Sequence, residues 1–152
     1  MPEEVEKIIL QDFGSYSTAL FKDNCSIQEA YKNRNEHAIN SIGVEAGHFV
    51  IDVGCGRGAM LQEVAKKGGR SLGITVSKTE QQICEQKGLE CVWSSWEDFD
   101  KVVQKSYPLA DSIIIVEVLL HMATLFENRV GLMDLRLQML FSWCQGKLKK
   151  RG

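Results

Sequence analysis

Phe49-Val50-Ile51-Asp52-Val53-Gly54-Cys55-Gly56-Arg57-Gly58 is the stretch that decides the fold. A short, nearly continuous apolar run enters a turn with glycine at every second position, and a helical pattern follows over 59–67 until Gly68 and Gly69 stop it. Such a run is expected of a strand buried on both faces, since neither face then tolerates the polar half of an alternating pattern. Glycines at a strand-to-helix junction let a ligand come close to the backbone, and the first turn of the helix offers free N–H groups to an anionic or polar group.

Outward from this unit the pattern repeats. Residues 71–76 read as a second strand, 78–87 as a helix closed by Gly88, 90–93 as a third strand and 112–116 as a fourth. Strands alternating with helices at this spacing predict right-handed crossovers, hence an α/β, Rossmann-like, doubly wound parallel sheet. Upstream, 3–12 reads as a short helix and 14–24 as loop. Ser26 followed by Glu29 is a capping-box pattern opening a helix toward Ile42, with Ile27, Ala30, Tyr31, Arg34, Ala38 and Ile42 on one side and Gly43 as its stop. Downstream, 125–148 reads as helix with two apolar stripes. One runs through Val130, Met133, Leu137, Leu140, Cys144 and Leu148, the other through Leu132, Leu135, Met139 and Trp143. A helix covering one sheet face needs a single stripe, so part of this surface is expected to lack a neighbour.

The chain of 152 residues has the length of one domain. It divides into an N-terminal helical cap, 1–45, and the cofactor-binding half of the core, 46–152. With 44% hydrophobic and 25% charged residues it has ordinary globular composition, and a net charge of −2 argues against a large nucleic-acid footprint. The basic cluster Lys147, Lys149, Lys150 and Arg151 closes a helix, where cations complement the dipole. The apolar run 113–116 is far too short to span a membrane, and 1–6 is acidic with no apolar signal region, so a cytoplasmic location is expected. Cys25, Cys55, Cys84, Cys91 and Cys144 form no C-x-x-C pair and no His lies at ligand spacing, so reduced, mostly buried thiols without a metal are expected.

Two chemistries compete for the glycine turn. Gly54, Gly56 and Ala59 satisfy the G-x-G-x-x-G/A pattern of dinucleotide binding. That fold also wants a carboxylate about 20 positions on, at the end of the second strand, to hold ribose hydroxyls. Here the strand ends Gly73-Ile74-Thr75-Val76-Ser77, without one. Asp52 stands two residues before the first glycine, and the third falls at 58; this D-x-G-x-G-x-G arrangement is similar to motif I of class I S-adenosylmethionine methyltransferases.

The likeness extends along the chain. Tyr16-Ser17-Thr18-Ala19-Leu20-Phe21, Ser26-Ile27-Gln28-Glu29-Ala30, motif I, Gly73-Ile74-Thr75-Val76-Ser77 with Glu80-Gln81, and Ser95-Trp96-Glu97-Asp98-Phe99-Asp100 together resemble the cyclopropane-fatty-acid and mycolic-acid synthase family and related small-molecule methyltransferases. The resemblance implies S-adenosyl-L-methionine as cofactor. It places Tyr16 and Ser17 over the methionine end with Gly54, Cys55 and Gly56 beneath, and makes Asp52 the organiser of the loop. Ile74, Thr75 and Gln81, or Glu80 in a register one residue earlier, would surround the ribose and adenosine, and Ser95, Trp96 and Glu97 would line the adenine.

After the fourth strand, Glu117-Val118-Leu119-Leu120-His121 resembles the family's strand-end segment, and implies catalytic roles for Glu117 and for His121 as proton acceptor. Leu120 replaces the family's Glu before this His, and Thr18 replaces a common Cys. Cyclopropanating members use those two positions to hold the bicarbonate that removes a proton, so their loss implies methyl transfer to a lipid or alkene carbon, an amine or a hydroxyl rather than ring closure. The sulfonium methyl needs only an aligned nucleophile, and alignment can supply about 7–11 kcal/mol. Family sheets have seven strands and this chain reads as four, with Leu148-Lys149-Lys150-Arg151-Gly152 similar to the turn ahead of the fifth. That implies an incomplete sheet whose fourth strand is an open edge, with a homodimer or a partner chain as the means of covering it. A catalytically impaired cofactor-binding fragment or subunit is the alternative to an active enzyme.

Overall fold

The computed structural model describes residues 18–103, 107–119 and 131–150. Within them the elements run α1 (Ile27–Ser41), β1 (Phe49–Val53), α2 (Ala59–Lys66), β2 (Arg70–Thr75), α3 (Lys78–Gln86), β3 (Cys91–Trp93), α4 (Phe99–Val102), β4 (Ser112–Ile115) and α5 (Leu132–Lys147). The four strands are parallel in the order β3-β2-β1-β4, so β1 is central and β4 lies at an edge. The fold is the expected incomplete Rossmann-like sheet. The helix expected over 3–12, the pair Tyr16 and Ser17, and Leu120, His121 and Val130 lie outside the described residues.

Every residue of β1 is buried, and its alternation distributes them between two layers. Phe49, Ile51 and Val53 join Leu72 and Ile74 of β2 on one face, where Phe99, Trp143 and Leu148 pack. Val50 points the other way, with Ile114 of β4, into a cluster with Ile39 and Val44 and with Met60 and Val64 of α2. Burying each large aliphatic side chain contributes about 1.5–3 kcal/mol, so the two layers hold the sheet from both sides.

The capping box forms as read. Ser26 Oγ accepts from Glu29 N at 3.3 Å, and the Glu29 carboxylate accepts from Ser26 N at 2.8 Å. Ser26→Ala is expected to lower stability by about 1 kcal/mol, seen as a lower denaturation midpoint with an unchanged slope. The expected stripe holds in part. Ala30 is fully buried and Ala38 and Ile42 pack against the cluster around Ile39, whereas Ile27 at the helix start is exposed, and Asn35 and Ile39, outside the stripe, are buried.

Strand and helix limits fall within one residue of expectation through 49–93, and Val76, expected in β2, is exposed beyond its end. The one-turn helix α4 carries no periodicity that a sequence could show. In α5, Leu140 and Cys144 are buried and Leu132, Leu135 and Met139 are exposed, as the two stripes require. Trp143, expected on the outer stripe, instead turns inward and meets Phe99 and Trp96 edge-on, with centroids at 5.7 and 6.3 Å. Two lysines of the basic cluster are held by ion pairs. Lys147 pairs with Asp100, and Lys149 bonds Asp111 at 2.7 Å while Asp111 accepts from Phe49 N. Just past the helix Leu148 forms a parallel bridge to Ala110, ahead of β4.

Candidate cofactor site at the carboxyl ends of β1 and β2

Gly54, Gly56 and Gly58 have φ of 78°, 53° and 81°, a left-handed backbone at three alternate positions that side chains rarely adopt. The turn is fastened to the neighbouring strand. Gly54 N and Cys55 N both donate to the Ile74 carbonyl, at 2.8 and 3.1 Å, and Gly58 N donates to the Cys55 carbonyl at 3.0 Å. Helix α2 then opens with no side-chain cap. The space on the Cβ side differs along the turn. A Cβ on Gly56 would find only Glu80 Oε1, 3.9 Å away, whereas one on Gly54 would lie 2.2 Å from Val118 Cγ2. Gly54 therefore admits the chain beyond β4, and Gly56 faces open space bordered by a carboxylate.

Asp52 is buried on the β1 face that looks toward α1, and removal from water pushes its carboxyl up to about 7 against the downward pull of Arg34. Arg34, half-buried on α1, is lowered by the same desolvation, while Glu117 and Asp52 favour its charged form. One guanidinium thus serves carboxylates at the ends of two adjacent strands. Beside it Asn35 is buried, and its Oδ1 has no hydrogen-bond partner among the described residues. Glu117 stands just past β4 at φ 61°, a conformation costly for a residue with a side chain, and its Oε1 accepts from Thr18 N at 2.8 Å. That bond ties the chain next to Tyr16 and Ser17 to the carboxyl edge of the sheet.

The end of β2 corrects one step of the sequence reading. No carboxylate follows Gly73 within the strand, yet one is present in space. Thr75 Oγ1 donates to Glu80 Oε2 at 2.6 Å, and Ser77, which caps α3, accepts from Glu80 N at 3.3 Å. The first turn of α3 folds Glu80 back over the strand end and toward Gly56. Gln81 points elsewhere and bonds Glu85 on the exposed face. Ile74 is fully buried in the core and reaches the turn through its carbonyl alone.

Fitting features for S-adenosylmethionine are therefore gathered at one end of the sheet: an open Gly56, backbone in the left-handed region, and a carboxylate braced by a threonine hydroxyl. Residues 2–127 match the family model of mycolic acid cyclopropane synthetase. The chain belongs to this family. Among its curated relatives, cyclopropane mycolic acid synthase 1 of Mycobacterium tuberculosis is 28% identical over 115 residues, covering 69% of this chain and 40% of that protein. Methoxy mycolic acid synthase of the same organism is 26% identical over 117 residues, covering 70% and 38%. The chain thus spans about 40% of the length of the curated relatives it matches. A crystal structure of a mycolic acid cyclopropane synthase complexed with SAH and CTAB superposes with a TM-score of 0.72 at 25% identity, over 89% of this chain and 45% of that one. Coclaurine N-methyltransferase bound to N-methylheliamine and SAH shares the fold, with a TM-score of 0.71 at 21% identity over 97% and 42%.

The remaining residues singled out in this cyclopropane synthetase family member sit after β3. Ser95 Oγ exchanges hydrogen bonds with Asp98, accepting from its N at 3.1 Å and donating to Oδ2 at 3.2 Å. Glu97 pairs with Arg136 of α5 at 3.0 Å. Trp96 and Glu97 form, with Leu135, Gln138, Met139 and Trp143, a surface groove of about 450 Å³ that includes no residue of the glycine turn. Sequence reasoning missed Arg34 as the cation of the site, since a helical Arg on a mixed face carries no signal. It also missed the inward course of Cys55. This side chain points beneath the turn toward Cys84 and Cys91, whose spacing in the chain matches no ligand pattern. Hydrogen bonding from Cys55 lowers the Cys84 thiol to about 7 and raises that of Cys55 itself. No helix among the described residues is long and apolar enough to cross a membrane.

Proposed function

We propose that this chain binds S-adenosyl-L-methionine at the carboxyl ends of β1 and β2 and takes part in methyl transfer to a small-molecule acceptor. The observation that carries the reading is the Glu80 carboxylate, braced by Thr75 and facing the open side of Gly56. Two hydroxyls on adjacent ribose carbons are recognised by such a fixed acceptor, because a charge-assisted hydrogen bond adds about 1.5–3 kcal/mol. Glu80 takes the ribose role in place of Gln81. Gly54, Cys55 and Gly56 lie beneath the methionine portion through their backbone, and Asp52 with Arg34 keeps the turn in place. Thr75 braces Glu80 and Ile74 fastens the turn; the family resemblance assigns Ser95, Trp96 and Glu97 to the adenine side and Tyr16 and Ser17 to the methionine end. The cofactor supplies an electrophilic methyl carbon. The chain's own tasks are to orient the acceptor and to take up its proton, which we assign to His121, with Glu117 holding the neighbouring backbone.

The name of the mycolic acid synthases favours a lipid acceptor, and the departures at Thr18 and Leu120 favour simple transfer over ring closure. Calorimetric titration of the full chain with S-adenosylmethionine and with its demethylated product tests binding. Glu80→Gln should weaken both by about tenfold or more. Transfer of isotopically labelled methyl groups into a lipid and amine pool tests activity. Failure of the wild-type chain to bind either nucleoside, or equal binding by Glu80→Gln, would overturn the reading.

A second reading rests on the position of β4. It has no outer neighbour along Ser112–Ile115 among the described residues, and Leu132, Leu135, Met139 and Phe141 are exposed on the helix that follows. Such an edge invites pairing with another chain. On that reading the chain binds the cofactor but transfers methyl groups only when a second copy or a partner completes the sheet. Light scattering on the cofactor-bound protein separates a monomer from a dimer.

A further inference from the structure

Against the glycine turn, the Sγ atoms of Cys55, Cys84 and Cys91 lie within 4.8 Å of one another. Among the described residues no other group of three metal-ligating side chains is so gathered. They come from three separate elements: the turn after β1, the last turns of α3, and the first residue of β3. Cys55 and Cys91 are in sulfur contact at 3.5 Å. Leu61 and Leu89 pack around them, and the Gly56 carbonyl accepts from the Cys84 thiol at 3.4 Å and from the Cys55 thiol at 3.7 Å.

Glycines make the room. A Cβ on Gly73 would stand 2.5 Å from Cys55 Sγ, and one on Gly58 would stand 3.1 Å from Cys84 Sγ. A buried free thiol can serve merely as a small hydrophobe. Here three are brought to one point, and the neighbouring backbone is stripped of side chains on two sides of it. A metal bound to three sulfurs at about 2.3 Å holds them roughly 4 Å apart, so the observed spacing needs only small shifts.

We propose that Cys55, Cys84 and Cys91 form a binding site for a soft, thiophilic metal ion of the copper(I) class, coordinated by three sulfurs. Soft thiolates select such ions. Zinc(II) would require a fourth donor, and the Glu80 carboxylate is already engaged with the Thr75 hydroxyl. Each thiol that ligates as thiolate releases its proton to solvent, and no electron is transferred. The Lys87 ammonium, bonded to the Arg57 carbonyl at 2.8 Å, places a positive charge at the same turn to offset the anionic sulfurs. Because Cys55 lies between Gly54 and Gly56, the ion would pin the turn. The site stands independently of the cofactor reading, since it is built from the three thiols and needs no nucleoside.

The test is anaerobic titration of the reduced full chain with copper(I) against a chromophoric chelator, without S-adenosylmethionine, followed by X-ray absorption at the copper edge. One ion per chain with three sulfur neighbours is expected. Cys91→Ala should lower the affinity roughly 100-fold, at least as much as the loss of an outer-shell partner costs. Cys84→Ala should do the same, and Cys25→Ala with Cys144→Ala should leave it unchanged, circular dichroism showing that each variant is folded. Equal binding by wild type and both site variants would overturn the proposal. So would preferred binding of zinc, with the four-coordinate absorption of a cobalt(II) substitute.

Discussion

Asp52→Asn is expected to flatten the dependence of stability on pH and to raise stability above neutrality. The wild-type carboxyl, buried at the end of β1, moves from an ordinary 3.8 to about 7 because its charged form is taken out of water. In the unfolded chain the proton leaves near 3.8, whereas in the folded chain it is held to about 7. Between those values the folded state binds more protons, so stability falls as pH rises, and the full loss is present above about 7. At 1.36 kcal/mol per pH unit the loss approaches about 4 kcal/mol. Denaturant midpoints of wild type and Asp52→Asn at pH 4, 6 and 8 should therefore coincide at the acid end and diverge upward in favour of the variant. A difference that shrinks as pH rises would show that Arg34 outweighs burial. On the proposed role of Asp52 as organiser of the turn, affinity for S-adenosylmethionine should move the opposite way and fall in the variant. A stability cost retained at a functional residue is the expected signature of a site that selection has not optimised for folding.

Gly58→Ala should cost about 2–5 kcal/mol. The residue caps α2 at φ 81°, where a side chain adds about 1–2 kcal/mol of backbone strain. Its Cβ would also meet Leu89 Cδ1 at 2.5 Å and Cys84 Sγ at 3.1 Å, and overpacking of this kind costs about 1–3 kcal/mol. Gly88→Ala supplies the comparison. That glycine has φ 71°, but a methyl group there would meet nothing within 4 Å, so only the backbone cost of about 1–2 kcal/mol applies. Urea denaturation of the two variants measures the difference. Equal losses would show that Leu89 moves aside freely and that the packing beneath the turn is loose. Domains are stable by only about 5–15 kcal/mol, so the larger loss would leave a chain that is substantially unfolded on mild warming.

Much of the fold is legible along the chain. The continuous apolar run of β1, the glycines that follow α1, α2 and α3 and the Ser26–Glu29 box are local signals, and local signals survive into the structure because packing reinforces them. Where packing decides alone, they mislead. Trp143 reads as part of an outer stripe, but α4, a single turn without periodicity, brings Phe99 against it and draws the indole inward. On α1 the expected face packs through Ala30, Ala38 and Ile42 but leaves Ile27 exposed, and Asn35 and Ile39 beside it are buried as well.

The candidate site divides in the same way. Asp52 and the three alternating glycines are determined by the sequence, because left-handed backbone and close approach at a strand end require those residue types whatever surrounds them. The carboxylate at the end of β2, the Arg34 guanidinium between Asp52 and Glu117, and the meeting of three cysteines were decided only by tertiary structure. Each joins residues from separate elements, and a distance between elements has no period or spacing in the chain to announce it. Capping by Ser77 turns Glu80 rather than Gln81 toward the glycine turn, and parallel pairing of β2 with β3 carries Cys91 up to Cys55.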